Sequence, residues 1–136
     1  MMSAVIETEG RGGVLAIRIT GAASTAAAGL GSIANPEGVD LLILRTTLAI
    51  ITPSTGSAAV SIGVTTAAAS ATDILNALDL QVTAGYCYNG HAMQNGAKTQ
   101  ISAPAVWEDD KYITITGAAT TVGLDALLLV EYVRVT

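Results

Sequence analysis

Hydrophobic and polar positions alternate along much of this chain. In "VLAIRIT", residues 14–20, Leu15, Ile17 and Ile19 fall on one side and Ala16, Arg18 and Thr20 on the other. That period of two predicts a strand with one buried face. "SAAVSIGVTT", residues 57–66, alternates in the same way, with Ala58, Val60, Ile62 and Val64 against Ala59, Ser61 and Gly63. "KYITITG", residues 111–117, and "DALLLVEYVRVT", residues 125–136, predict the last two strands, joined by the turn-like "AATTVGL". In the final strand Leu127, Leu129, Val133 and Val135 share a face with Glu131, and Leu128, Val130, Tyr132 and Arg134 share the other.

"VDLLILRTTLAII", residues 39–51, is apolar on both faces and rich in β-branched residues, which suits a strand buried on two sides better than a helix. "PSTGS", residues 53–57, predicts a hairpin turn to the next strand. "GAASTAAAGLGSIANPEG", residues 21–38, shows no period; its glycines and Asn35-Pro36 predict a connecting loop, with a short helical turn near residues 25–28. "SATDILNALDLQ", residues 70–81, carries the best helix start, with Ser70 or Thr72 as N-cap, Asp73 in the first turn, and Ile74, Leu75 and Leu78 at helical spacing. "AGYCYNG" predicts a strand fragment ending in an Asn-Gly turn, "HAMQNGAK" a polar loop, and "TQISAPAVW" an extended segment that Pro104 places at an edge. Seven or eight short strands, one short helix and connections too short for crossover helices predict an all-β fold, an antiparallel jelly-roll-like sandwich or barrel. A single β domain is expected over residues 14–136, preceded by a flexible N-terminal arm over residues 1–13.

Composition adds a second constraint. Charged residues are 12% of the 136 and apolar residues 51%, where about a quarter charged is usual; mean hydropathy is +0.55. Disorder is excluded, since it requires few apolar residues and high charge. No stretch reaches the roughly 18 uninterrupted apolar residues of a membrane helix, so no membrane partner is expected. The surface is instead short of solvating charge, and contact with other chains is the expected consequence. A net charge of −5 with six scattered basic residues argues against nucleic acid, which is bound through several lysines or arginines on phosphates. The start lacks the basic and apolar regions of an export signal. The single cysteine, Cys87, permits no internal disulfide and no thiolate-rich zinc site. With no phenylalanine, the core must consist of Ile, Leu, Val and Ala, with few rings.

Three features could carry chemistry. Glu108, Asp109 and Asp110 could bind a hard cation, but three consecutive acids cannot all point one way on an extended segment, and the spaced pattern of a calcium loop is missing. A solvated turn before a strand, with Trp107 anchoring it against the sheet, is the preferred reading. His91, the only histidine, has no acid near it in sequence and no assembled nucleophile. "GRGG", residues 10–13, lacks the flanking strand, helix and lysine of a phosphate loop and reads as a hinge for the arm, whose "AVIETE" could add to a neighbour's sheet edge. No catalytic residue, cofactor or metal site is therefore expected, and the chain does not read as an enzyme. Val5 and Ile6 in the arm, with Tyr86, Tyr88, Trp107 and Tyr132, are the candidate residues of a subunit interface.

The order "RTTLAIITPSTGSAAVSIGV", "TDILNALDL", an Asn-Gly-rich loop, "WEDDKYITIT", a glycine turn and "ALLLVEYVRV" resembles the small decoration, or cement, proteins on the heads of some tailed bacteriophages. The resemblance covers residues 39–136. It implies a jelly-roll-like domain that sits as a homotrimer on the outside of the expanded head, bound to the major capsid protein, after synthesis in the host cytoplasm. It carries no catalytic residue. Two other readings remain at this level: a tail or tail-tube component, and a lectin-like module stacking sugars on Tyr86, Tyr88 or Trp107.

Overall fold

The computed structural model describes residues 10–81, 85–88 and 106–135. The elements in chain order are β1 (Gly12–Thr20), β2 (Gly31–Ala34), β3 (Leu41–Thr52), β4 (Ala59–Thr65), β5 (Leu75–Asp79), β6 (Gly85–Tyr88), β7 (Val106–Trp107), β8 (Tyr112–Thr116), a single 3-10 turn at Ala119–Thr121, and β9 (Asp125–Arg134). They form two antiparallel sheets. The first has the order β1-β9-β3-β6, with β7 also on β3, and the second β2-β8-β4-β5.

Alternation decides which side of each strand is buried. In β9 Ala126, Leu128, Val130 and Tyr132 point inward, joined from the same sheet by Ile17 and Ile19 of β1 and by Leu41, Ile43, Leu48 and Ile50 of β3. Val60 and Ile62 of β4 and Ile113 and Ile115 of β8 meet them from the other sheet. The fold is thus an all-β sandwich with one aliphatic core. Its largest fully buried side chain is Trp107, whose indole Nε1 donates to the Lys111 carbonyl at 2.9 Å.

Four local expectations are corrected. Residues 70–81 contain no helix. Asp73 caps nothing there; its Oδ1 accepts the Val64 N–H at 2.8 Å, and β5 pairs with β4. The helical spacing has a simple origin: Leu75 lies opposite Ile62 and Leu78 opposite Val60, so three steps on β5 match two on β4. A bulge inserts the extra residue, and Ala77 takes the left-handed conformation there, φ 50°. A bulged strand, like a helix, brings residues i and i+3 to one side.

In the Ala-rich stretch no helical turn forms at residues 25–28, and β2 occupies part of the expected loop, with Ile33 paired to Ile113. "PSTGS" is not a hairpin turn, because β3 and β4 belong to different sheets. The segment crosses between them, tied by Ser54 N–H to the Leu80 carbonyl at 3.2 Å and Thr55 N–H to the Val122 carbonyl at 3.0 Å. β1 starts at Gly12, so Gly12 and Gly13 of the expected hinge are strand residues opposite Val133 and Tyr132. Gly13 has a packing reason: a Cβ there would stand 2.6 Å from the Tyr132 hydroxyl oxygen.

Candidate interaction surface

The outward side of the first sheet is built by the register of its strands. Gly12, Val133 and Leu42 lie in one cross-strand row, with Val106 of β7 opposite Leu42. Val14, Glu131 and Arg45 form the next, then Ala16, Leu129 and Thr47, then Arg18, Leu127 and Ala49, then Thr20, Asp125 and Thr52. Antiparallel sheets with one solvated side normally alternate apolar-in and polar-out. Here β9 keeps Leu127, Leu129 and Val133 on the solvent side, partly exposed.

Two irregularities in β3 enlarge this apolar surface. The pairing with β9 slips between Ile43 and Arg45 and again between Ile50 and Thr52, leaving Leu44 and Ile51 as the extra residues. Both are exposed, at 51% and 55%. The same face carries Val14 at 65% exposure and Val106 at 52%.

Its charges are matched within the chain. Arg18 grips Asp125 with two hydrogen bonds, Nε to Oδ1 at 2.5 Å and Nη2 to Oδ2 at 2.6 Å, and Arg45 Nε donates to Glu131 Oε2 at 2.6 Å. The hydrogen bond from Arg18 holds the Asp125 carboxyl below its ordinary pKa. These partly exposed pairs add little stability; their effect is to leave the face electrically balanced.

One end of the sandwich is acidic. Glu108, Asp109 and Asp110 are exposed in a turn closed by the Lys111 N–H on the Glu108 carbonyl at 3.1 Å, just before β8. Asp109 N–H donates to Asp40 Oδ1 at 3.0 Å. Asn35 fastens this end: its Nδ2 reaches the carbonyls of Val39, Trp107 and Glu108 at 2.9, 3.1 and 3.2 Å. Its Oδ1 accepts the Glu37 and Gly38 N–H groups at 2.9 and 3.1 Å. Among the described residues no group of three or more His, Cys, Asp or Glu is placed to hold a metal ion. The triple acid is the strand-leading turn that its sequence suggested.

Of the six candidate interface residues, four lie among the described residues and two of those are buried. Trp107 is wholly buried and Tyr132 is 7% exposed, so both rings pack against the chain's own core. The Tyr132 hydroxyl donates to Glu37 Oε2 at 2.8 Å, and Arg134 Nη1 reaches Glu37 Oε1 at 3.3 Å. Tyr86 and Tyr88 lie in β6 in register with Ala49 and Thr47 of β3. Val5 and Ile6, like His91, lie outside the described residues. Leu42, Leu44, Ile51, Val14 and Val106 were missed. For Leu42, Leu44 and Ile51 the signal is the two-sided apolarity of β3, which predicts burial on both sides, although one side stays partly or largely exposed.

Fold and surface together define an all-β sandwich with one apolar sheet face left partly exposed among the described residues. No protein-family model and no curated protein matches the chain. Two solved structures share its fold. A chain in the capsid of Ralstonia phage GP4 aligns with TM-score 0.58 and 15% identity, over 100% of this chain and 92% of that one. A chain in the acidic stable capsid structure of Helicobacter pylori bacteriophage KHP30 aligns with TM-score 0.58 and 14% identity, over 95% of this chain and 92% of that one.

Proposed function

We propose that this protein is a structural component of a phage virion, a decoration or cement protein that binds the outside of the head and stabilises it as a homotrimer. Its partner in this reading is the major capsid protein, and it joins the head after synthesis in the host cytoplasm. The observation that carries the proposal is the end-to-end match of fold and length with the chain in the Ralstonia phage GP4 capsid. The apolar face and the scarcity of charge support it, because both suit a chain that works in contact with others. Many copies, each contributing a modest contact, reinforce a shell through multivalency without one tight site.

The lectin-like alternative loses one of its three candidate stacking rings, since the Trp107 indole is enclosed in the core. The test is co-sedimentation. Purified protein is mixed with expanded heads lacking it, with unexpanded heads and with unassembled capsid protein. Saturable binding to expanded heads alone is expected, together with greater resistance of those heads to heat. No binding to any form of the shell would overturn the proposal.

A further inference from the structure

We infer that the free edge of β1 is the docking site for an extended segment of the major capsid protein, which adds to the first sheet as a further strand. This rests on the virion reading and gives that contact its place and its chemistry.

The ladder on one side of β1 fixes what its other side offers. In an antiparallel pair, residues that exchange both backbone hydrogen bonds with the partner strand alternate with residues whose N–H and C=O point away from it. Arg134 N–H donates to the Arg11 carbonyl at 2.8 Å and Gly21 N–H to the Leu124 carbonyl at 2.9 Å. These bonds bracket a register that runs without a slip from Gly12 opposite Val133 to Thr20 opposite Asp125. Odd-numbered residues of β1 therefore bond to β9. The N–H and C=O groups of Gly12, Val14, Ala16, Arg18 and Thr20 face the other way, where no strand stands among the described residues, and all of these residues are exposed. Extended backbone is the ligand that satisfies such a row.

Sheet edges are normally blunted by shortness, bulges, proline or charge. The second sheet ends in β2, 4 residues long, and in β5, whose pairing with β4 is bulged. The far edge of the first sheet is divided between β6, of 4 residues, and β7, of 2. By contrast β1 has 9 residues, no proline, an unbroken register and one charge, Arg18, which Asp125 already holds. Residues 10–11 do not turn back to cover it: they continue its line, with the Gly10 carbonyl on Arg134 Nη2 at 2.8 Å. In the three-fold assembly proposed above, β1 cannot pair with its own equivalent, because like against like requires a two-fold axis, and the other edges of a neighbouring copy are the blunted ones. The shell itself is the remaining source of a strand. Its chemistry follows from β1: apolar at alternate positions, to lie beside Leu15, which packs half-buried against the core, and uncharged between them, since Arg18 is committed to Asp125 through two hydrogen bonds.

The experiment measures binding of wild type, Ala16→Pro and Ala16→Ser to expanded heads lacking the protein, together with backbone hydrogen exchange resolved to single residues. Proline is tolerated at an edge position whose N–H faces outward, so Ala16→Pro removes one docking group and leaves the bonds to β9; circular dichroism and a thermal melt check that each variant folds. The expected result is wild-type affinity for Ala16→Ser and roughly tenfold or more weaker binding for Ala16→Pro. In the wild type the amides of Val14, Ala16 and Arg18 should exchange freely in solution and become protected on heads, while those of Leu15, Ile17 and Ile19 are protected in both states. Should Ala16→Pro not fold, the exchange pattern decides alone. Undiminished binding of a folded Ala16→Pro, or even-numbered amides that still exchange freely on heads, overturns the inference. Protection of those amides already in the free protein also overturns it, because the chain itself then fills the edge. The two proposals fail distinguishably: wild type that binds heads with the β1 edge unprotected sinks only this one, whereas wild type that binds no form of the shell sinks the virion reading and this contact with it.

Discussion

Asn35 shows how much one amide holds in a fold with few charges. It joins the turn before β3 to the carbonyls of Trp107 and Glu108, so it positions the acidic turn and the buried indole together. Asn35→Ala leaves those carbonyls and the Glu37 and Gly38 N–H groups without their partner, and should lower unfolding free energy by roughly 1–3 kcal/mol, read as a shifted urea midpoint with unchanged slope. Tyr132 gives a pH signature. Its pKa is raised first by burial and then by the hydrogen bond to Glu37. An acid whose folded pKa lies above its unfolded value contributes stability that is complete below the unfolded pKa, near 10, and is lost as pH rises from there through the folded value. Wild type should therefore lose stability above about pH 10, and Tyr132→Phe should lose less over that range. Tyrosinate absorbance during an alkaline titration should show the late-titrating group vanish in the variant; an unchanged titration would contradict the assignment.

At the scale of elements, irregularity of strands governs both the misreading and the surface. β5 resembled a helix because its bulge reproduces helical spacing, and the bulge depends on Ala77 at φ 50°. An L-residue pays about 1–2 kcal/mol in this region, and a β-branched one fits it worst. Ala77→Gly should hold or raise the thermal midpoint, whereas Ala77→Val should destabilise by at least ~1 kcal/mol, measured by denaturant melts of the two variants side by side. The slips in β3 act differently: they leave Leu44 and Ile51 on the solvent side, where regular alternation would have paired each residue with a β9 neighbour. β1, β4 and β8 were legible from alternation because apolar residues alternate with polar or small ones along each. β2 was not, because a single Ile33 among Gly, Ser and Ala gives no period to read.

For the whole molecule, the connections matter more than any strand. β1 pairs along its length with β9, Gly12 opposite Val133 and Thr20 opposite Asp125, so the first described strand cannot dock until the last is in place. Folds dominated by such distant pairings fold in roughly milliseconds to seconds. Stopped-flow refolding, followed by the fluorescence of Trp107, the only tryptophan, should fall in that range and report core closure directly, since the indole is buried. Completion in microseconds would conflict with this topology. The apolar face belongs to this scale too: Val14, Leu129 and Leu44 come from three strands that only the assembled sheet sets side by side.

By itself the sequence determined that this chain is all-β, that its core is aliphatic, and that the chain is poor in charge. Those properties follow from composition and the two-residue period, which are local. It also placed the triple acid as a turn ahead of a strand, because consecutive carboxylates repel one another and seek solvent. Only the tertiary structure decided which side of β3 and β9 faces the core. Both sides are apolar, and the choice rests on which strands pair and where the register slips. The same holds for Trp107 and Tyr132: an aromatic ring suits an interface or a core equally well in sequence, and the neighbours that enclose it come from distant parts of the chain.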